Sequence, residues 1–201
     1  MIKGLLEIPF LYSLSQVLLA PGAKKAVMRK VGGILKKVPA GKCLLDVGCG
    51  PSSLLWSFGL HPIGLDISRA YVSEYGSRSE KAVNASADNL PFISGYFDGV
   101  WSFGLLHHLP DESARRCIAE MLRVCCNEGY VVIFDGVLPE NAWLRPVAWV
   151  IRKLDRGSFL RRQSDLERLL VNRDDWKCER LTYSYNGLEG LFCVYNLSSK
   201  R

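Results

Sequence analysis

The 201-residue sequence has no long apolar run, and this absence excludes an obvious membrane span. Its longest apolar stretch, residues 8–20, is about 13 residues long, whereas a spanning helix needs about 20. A secretory signal is also disfavoured, because Glu7 precedes the stretch and no small-x-small cleavage pattern follows it. We therefore expect a cytoplasmic protein in which residues 8–20 form an amphipathic N-terminal helix.

A Cys-x-x-Cys pair is also missing, although the chain contains seven cysteines. The odd number, and the adjacency of Cys125 and Cys126, argue against a disulfide framework. Cys49 lies between two glycines and not among other metal-binding side chains. We therefore expect reduced thiols and assign no metal site.

Long runs of basic residues are absent too. The formal charge of +6 and the pI near 9.0 favour anionic partners. However, the basic residues are spread from Lys24 to Arg201, so we expect no nucleic-acid partner. The length and the 48% hydrophobic content predict one domain, residues 1–201, with a single core.

What is present is an alternation of short apolar runs and helical patterns. The predicted strands lie at residues 43–47, 61–65, 81–84, 98–103 and 129–137, and the predicted helices at 21–38, 68–78 and 111–125. This alternation predicts an α/β fold, a single Rossmann-like doubly wound sheet that is mostly parallel. Two further strands, at 177–185 and 191–197, flank Asn186-Gly187 and predict an antiparallel C-terminal hairpin.

Four segments divide this domain. They are an N-terminal helical cap at 1–39, a cofactor-binding core at 40–137, a helical insertion at 138–176 and the terminal hairpin at 177–201.

The most informative motif is Asp46-Val47-Gly48-Cys49-Gly50, which follows the first buried strand. Glycines let the backbone turn with positive φ and approach a ligand closely, and a helix N-terminus after the turn offers amides to an anion. Ser52 or Ser53 is expected to cap that helix. An acid before the turn suits an ammonium group, so the motif fits a ligand with both a carboxylate and an ammonium. The pyrophosphate of a dinucleotide would be repelled by Asp46.

Two more acids follow the next two strands. Asp66, about 20 residues after the first acid, is placed to accept both hydroxyls of a ribose. Asp88 could accept an adenine amino group while the amide of Asn89 donates to the ring. Acids at the ends of three successive strands indicate an adenosine-containing ligand more strongly than any one of them.

Four motifs, LLDVGCG at 44–50, GLDIS at 64–68, ADNLPF at 87–92 and FDGVWSFGLLHHLPD at 97–111, resemble the class I S-adenosylmethionine-dependent methyltransferases. Within that class the chain is similar to the small-molecule branch that includes the ubiquinone and menaquinone biosynthesis methyltransferases. The resemblance implies S-adenosylmethionine as cofactor and methyl transfer to a small-molecule acceptor. It also implies three groups of cofactor-binding residues: Asp46, Gly48, Cys49 and Gly50 at the methionine end; Asp66 and Ile67 at the ribose, with Ala87, Asp88 and Asn89 at the adenine; and Ser102 and Phe103 beside the sulfonium.

His107, which the resemblance also places beside the sulfonium, is the candidate catalytic base. A base is needed only if the acceptor must lose a proton, and a packing role for this histidine stays open. Asp111 is expected to cap the following helix. The chain departs from the family at Pro51, where a third glycine is usual, and this change predicts an altered turn. The alternatives are a non-catalytic S-adenosylmethionine-binding module and, less favoured, an NAD-dependent oxidoreductase.

Acceptor selectivity is expected to lie in two parts outside the core, the N-terminal helix with Phe10 and Tyr12 and the segment 138–175. In the second part a helix at 142–154 carries apolar residues at helical spacing. Basic residues accompany it: Arg145, Arg152, Lys153, Arg156, Arg161 and Arg162. A basic amphipathic helix can lie on a membrane surface, so an anionic or lipophilic acceptor and a peripheral membrane contact stay open. The alternative is that the apolar face packs on the domain while the charges are solvated.

Overall fold

The structure, a computed structural model, describes residues 20–38, 43–78, 81–153 and 157–196. The helix expected at residues 8–20 lies outside this range, apart from Ala20.

Five α-helices and seven strands form the described fold. The helices are α1 (Ala23–Leu35), α2 (Arg69–Gly76), α3 (Asp111–Val124), α4 (Pro146–Lys153) and α5 (Gln163–Glu167). The strands are β1 (Leu44–Val47), β2 (Ile63–Asp66), β3 (Ala82–Asn84), β4 (Phe97–Phe103), β5 (Cys125–Val137), β6 (Trp176–Thr182) and β7 (Glu189–Asn196). Short 3₁₀ turns lie at Leu54–Phe58, Leu106–His108 and Arg173–Asp175.

All seven strands belong to one sheet in the order β3-β2-β1-β4-β5-β7-β6. Strands β1 to β5 pair in parallel, whereas β7 is antiparallel to both β5 and β6. The predicted fold class is therefore confirmed. The strand order reverses direction between β1 and β4, and in open α/β sheets ligands bind at the carboxyl ends of the strands at such a point.

Helices cover both faces of the sheet. Neighbouring residues of a strand point to opposite faces, so one strand packs against helices on both sides. Leu45 of β1 packs in a cluster with Ile118 and other residues of α3. Leu44, the residue before it, packs in a second cluster with Val27 and Val31 of α1. Because all four residues of β1 are buried, the sequence leading up to Asp46 is a continuous apolar run.

The first residues of two elements differ by four positions from the predictions. Strand β5 begins at Cys125, directly after α3, and a register irregularity between Phe97 and Gly99 accommodates its first residues. Helix α4 begins only at Pro146, a residue suited to the first turn of a helix because it lacks an N–H. No helix in the described ranges is long and apolar enough to cross a membrane.

Candidate functional site

The turn after β1 is a glycine-dependent structure at the point where the strand order reverses. Gly48 and Gly50 have φ values of 71° and 60°. A Cβ on Gly48 would lie 2.8 Å from the Leu105 side chain, whereas a Cβ on Gly50 would meet no atom within 4 Å. Gly48 thus lets the β1 turn pack against the loop after β4, and Gly50 faces open space that a ligand can occupy. Pro51 does not remove these positive φ angles.

Asp46 precedes this turn and is buried, with 2% of its surface exposed. Burial raises the pKa of its carboxyl group to about 7, the hydrogen bond from Ser53 opposes that rise, and the charge of Asp66 adds to it. The Ser53 hydroxyl lies 2.5 Å from Asp46 Oδ2 and accepts from the Leu55 amide. Ser53 is therefore the helix cap that the sequence predicted.

Asp66, at the end of β2, connects this strand to the glycine turn. Its Oδ2 accepts from the Gly50 amide at 3.0 Å, and its Oδ1 accepts from the Ser68 amide at 2.8 Å. Ile67 follows with 76% of its surface exposed. Because each carboxylate oxygen has two lone pairs, both oxygens of Asp66 can accept one further donor each.

Asp88 lies after β3 and already has partners within the protein. The Ser86 hydroxyl is 2.5 Å from Oδ1, and Arg116 Nη2 is 3.5 Å from Oδ2. These contacts, with that of Ser86 the largest, hold the pKa of Asp88 below its ordinary value. Ala87 and Asn89 flank it in the same turn. A contact between Asp88 and adenine stays a prediction.

The end of β4 carries Ser102 and Phe103. Ser102 is buried, and its hydroxyl makes no hydrogen bond within the described part of the chain. The ring of Phe103 stacks on Trp101, with 5.6 Å between centroids, and packs in the cluster beneath α1. The predicted position of both residues beside a sulfonium is not tested by these contacts.

His107 lies in the 3₁₀ turn after β4 and pairs with Asp135, a residue that the sequence analysis missed. Its Nδ1 is 2.6 Å from Asp135 Oδ1, and its backbone amide donates to Oδ2 at 3.2 Å. Although burial acts to raise the pKa of Asp135, the charge and hydrogen bonds of His107 and the Leu106 amide lower it. The geometry is that of a histidine oriented by a buried carboxylate.

Arg161 holds the His107 loop in place. Its Nη1 donates to Leu106 O and its Nη2 to Leu109 O, both at 2.7 Å. It also binds Asp111 Oδ1 through Nε and Nη2, at 2.9 and 2.7 Å. The prediction that Asp111 caps α3 is therefore wrong: Pro110 occupies the cap position, and the Asp111 carboxylate binds an arginine.

The prediction that the basic residues of the insertion form a charged outer face is also wrong for three of them. Arg161 is buried, and so is Arg152, which donates to Tyr183 Oη and to Glu189 O. Arg145 binds Gly187 O and the Glu189 carboxylate. Lys153 and Arg162 are exposed, and Arg156 lies outside the described residues. Arg145, Arg152 and Arg161 therefore bind groups of the protein itself that lie more than thirty residues away in the chain.

Comparison with known proteins supports the same class of site. Residues 45–133 match the family described as "Methyltransferase domain". The tRNA (carboxymethyluridine(34)-5-O)-methyltransferase of Arabidopsis thaliana is 36% identical over 109 residues, 52% of this chain and 26% of that protein. The 2-methyl-6-phytyl-1,4-hydroquinone methyltransferase of Synechocystis is 33% identical over 135 residues, 60% of this chain and 42% of that protein. The chain thus spans less than half the length of these two curated relatives.

The crystal structure of a SAM-dependent methyltransferase from Thermotoga maritima has the same fold, with a TM-score of 0.70 and 14% identity over 95% of this chain and 98% of that chain. The sheet order, the acids at the strand ends and the family match over residues 45–133 are together similar to those of class I methyltransferase domains. The family match over residues 45–133 supports S-adenosylmethionine as the cofactor of this part of the chain.

The residues of the β1 turn fit this cofactor. The buried Asp46 carboxylate accepts from the Ser53 hydroxyl, and a cationic ammonium would offset the burial cost that raises its pKa. The space beside Gly50 admits a ligand close to the backbone. Asp66 retains acceptor capacity for hydroxyl groups.

Proposed function

We propose that this protein methylates a small molecule that carries an acidic hydroxyl group, such as a phenol or hydroquinone, and that His107 takes the hydroxyl proton. The observation that carries this proposal is the 2.6 Å contact between His107 Nδ1 and Asp135 Oδ1. An acceptor that has no proton to lose needs no base. His107 is held by a buried carboxylate in the turn after β4, the strand next to β1, and such a histidine is what a proton-losing acceptor requires.

Asp135 determines which nitrogen of His107 is basic. When the imidazole is neutral and Nδ1–H donates to the carboxylate, the ring lone pair is on Nε2. The acceptor hydroxyl gives its proton to Nε2, and the buried Asp135 carboxylate stabilises the resulting imidazolium. Asp135 is a positioning residue in this scheme, because it acts on the substrate only through His107.

S-adenosylmethionine supplies a methyl group on a sulfonium, which is already a good leaving group. The protein therefore has to orient the two reactants and exclude water. Asp46 and the Gly48–Gly50 turn hold the methionine end and Asp66 holds the ribose. Arg161 keeps the His107 loop in register through its bonds to Leu106 O and Leu109 O.

A lipophilic phenolic acceptor is favoured within this class. One relative is named for a phytyl hydroquinone substrate. A hydroquinone with a long alkyl chain presents both the hydroxyl that His107 needs and an apolar tail.

A second candidate acceptor is tRNA. The relative with 36% identity is named for a carboxymethyluridine, and the pI near 9.0 is compatible with a polyanion. A carboxylate is already ionised at neutral pH and has no proton for His107 to take. The two acceptors therefore predict opposite roles for this histidine.

Methyl transfer from labelled S-adenosylmethionine to alkylated and unalkylated hydroquinones, and to unmodified and carboxymethylated tRNA, separates the candidates. With a hydroquinone we expect His107→Ala to lower kcat by about 10² to 10⁴ while donor affinity is retained. The loss should shrink at high pH, where the phenol ionises by itself. The neighbouring exposed His108→Ala is the matched control and should be nearly as active as the unmodified protein.

Transfer to carboxymethylated tRNA with no transfer to any hydroquinone would overturn the proposal, and so would full activity of His107→Ala. Binding of S-adenosylmethionine without turnover on either class would favour the non-catalytic module.

A further inference from the structure

The largest exposed apolar side chains of the described chain include a set on α4 and the turn before it. We call Trp143, Leu144, Val147 and Val150 the apolar face; their exposed fractions are 94%, 80%, 57% and 48%. Val147 and Val150 share one side of α4 by their spacing, and Trp143 and Leu144 lie in the turn before the helix. Asn141 Oδ1 accepts from the amides of Trp143 and Leu144, at 3.0 and 3.3 Å, so this turn is held by its own hydrogen bonds.

Helix α4 packs on the protein through a different side. Ala148 is fully buried in a cluster with Ala20 and Leu188. Arg152 is buried and bonded to Tyr183 and to the backbone of β7. The helix therefore places an arginine inwards and Val147 and Val150 outwards, so packing among the described residues does not account for the apolar face.

The surroundings of the apolar face are basic and aromatic. Residues 141–153 include no acidic residue. Lys153 is exposed, with its ammonium 5.4 Å from the centre of the Trp149 ring. Lys24 and Lys25 are exposed on α1, whose Ala23 packs against the Ala148 cluster. Aromatic and aliphatic side chains bordered by lysines are typical of surfaces that bind the headgroup region of a bilayer.

We propose that the apolar face docks the protein on the surface of a bilayer that contains anionic lipids. The side chains of the apolar face enter the headgroup region, and Lys24, Lys25 and Lys153 bind the lipid phosphates. Ala20, the first described residue, is buried against Ala148. Two signals, apolar and electrostatic, suffice for stable peripheral binding.

A bilayer explains the apolar face better than a soluble anionic partner does. A polyanion such as RNA would pair with the lysines but would leave Leu144 and the valines of the apolar face in water. This inference goes beyond the proposed reaction and does not depend on it, because no residue of the apolar face belongs to the methyl-transfer site.

Flotation of the full chain with phosphatidylcholine vesicles, with and without phosphatidylglycerol, tests the proposal. At low salt we expect the unmodified protein to float with the anionic vesicles. The Trp143→Ser/Leu144→Ser variant should lower the partition coefficient by about tenfold or more, with or without added salt. Lys24→Gln/Lys25→Gln should lower it by about fivefold per lysine on anionic vesicles at low salt only.

Ile93→Ser is the matched control, since Ile93 is an apolar residue with 73% exposure in the loop before β4. We expect it to float like the unmodified protein, and far-UV circular dichroism confirms that each variant is folded. Failure of the unmodified protein to float with anionic vesicles at low salt would overturn the proposal, as would equal flotation of the Trp143→Ser/Leu144→Ser variant. A self-associated protein that ignores vesicles and becomes monomeric in that variant would assign the face to a second copy of the chain.

Discussion

Donor binding should depend on pH through Asp46. Burial raises the pKa of this carboxyl group from 3.8 to about 7 in the absence of ligand, and an ammonium group binds the ionised form. Affinity should therefore fall by about tenfold per pH unit once the pH is well below 7. Between pH 7 and 5 the fall is about fiftyfold, because half of the groups are already protonated at pH 7. Above about pH 8 the ligand's own α-amino group begins to lose its charge. The highest affinity is expected between these limits.

The same group links the stability of the unliganded protein to pH. The folded-state pKa of Asp46 is higher than its unfolded value. The contribution of the protonated carboxyl group to the free energy of unfolding is therefore fully present below pH 3.8 and is lost as the pH rises through about 7. At about 1.4 kcal/mol per tenfold change, the ionised carboxylate costs the unliganded fold up to about 4 kcal/mol. Asp46→Asn should therefore raise the melting temperature at pH 8 while it weakens donor binding.

Titration calorimetry with S-adenosylhomocysteine from pH 5 to 8 measures this dependence, and buffers of different ionisation enthalpy report the released proton. Ser53→Ala removes the hydroxyl that lowers the pKa of Asp46, so the midpoint of the profile should move to higher pH. Asp46→Asn should bind weakly with a flat profile below pH 7. A flat profile in the unmodified protein would show that the ammonium does not bind at Asp46.

Two further changes test other parts of the structure. Asp66→Ala should weaken donor binding at least tenfold in a folded protein, because each charge-assisted hydrogen bond contributes about 1.5 to 3 kcal/mol; unchanged affinity by calorimetry would place the ribose elsewhere. Cys178 and Cys193 lie directly opposite on β6 and β7 with 3.0 Å between their sulfurs, a placement compatible with a disulfide. Oxidised glutathione should therefore remove one hydrogen from each thiol, form the disulfide and be reduced itself. Mass spectrometry after alkylation measures the result. Alkylation of both cysteines after this treatment would contradict the prediction.

Features of the site that follow from local sequence were predictable. Asp46, Gly48 and Gly50 are contiguous with a buried strand, and Ser53 lies at the start of the next turn, so burial, turn geometry and capping can be inferred from neighbours in the chain. Asp66 follows the same rule at the end of the next strand.

Features that depend on strand order were not predictable in this way. Asp135 contacts His107 because β5 pairs with β4, which brings together residues 28 positions apart. The sequence did carry a signal for Asp135. This acid follows an apolar run near the end of β5, much as Asp46 and Asp66 lie near the ends of their strands. The burial of Arg152 and Arg161 could not be predicted, because their acceptors are carbonyls and side chains far away in the chain and hydrophobic periodicity does not reveal such partners.

Ligand-dependent stability tests the central claim, that the turn after β1 binds S-adenosylmethionine, most directly. Thermal unfolding is measured with S-adenosylmethionine, S-adenosylhomocysteine or NAD at about 100 times the calorimetric dissociation constant of the adenosyl ligand. We expect each S-adenosyl ligand to stabilise the fold by about 2.7 kcal/mol and NAD to leave the transition unchanged. Stabilisation by NAD with no effect of either S-adenosyl ligand would contradict the account.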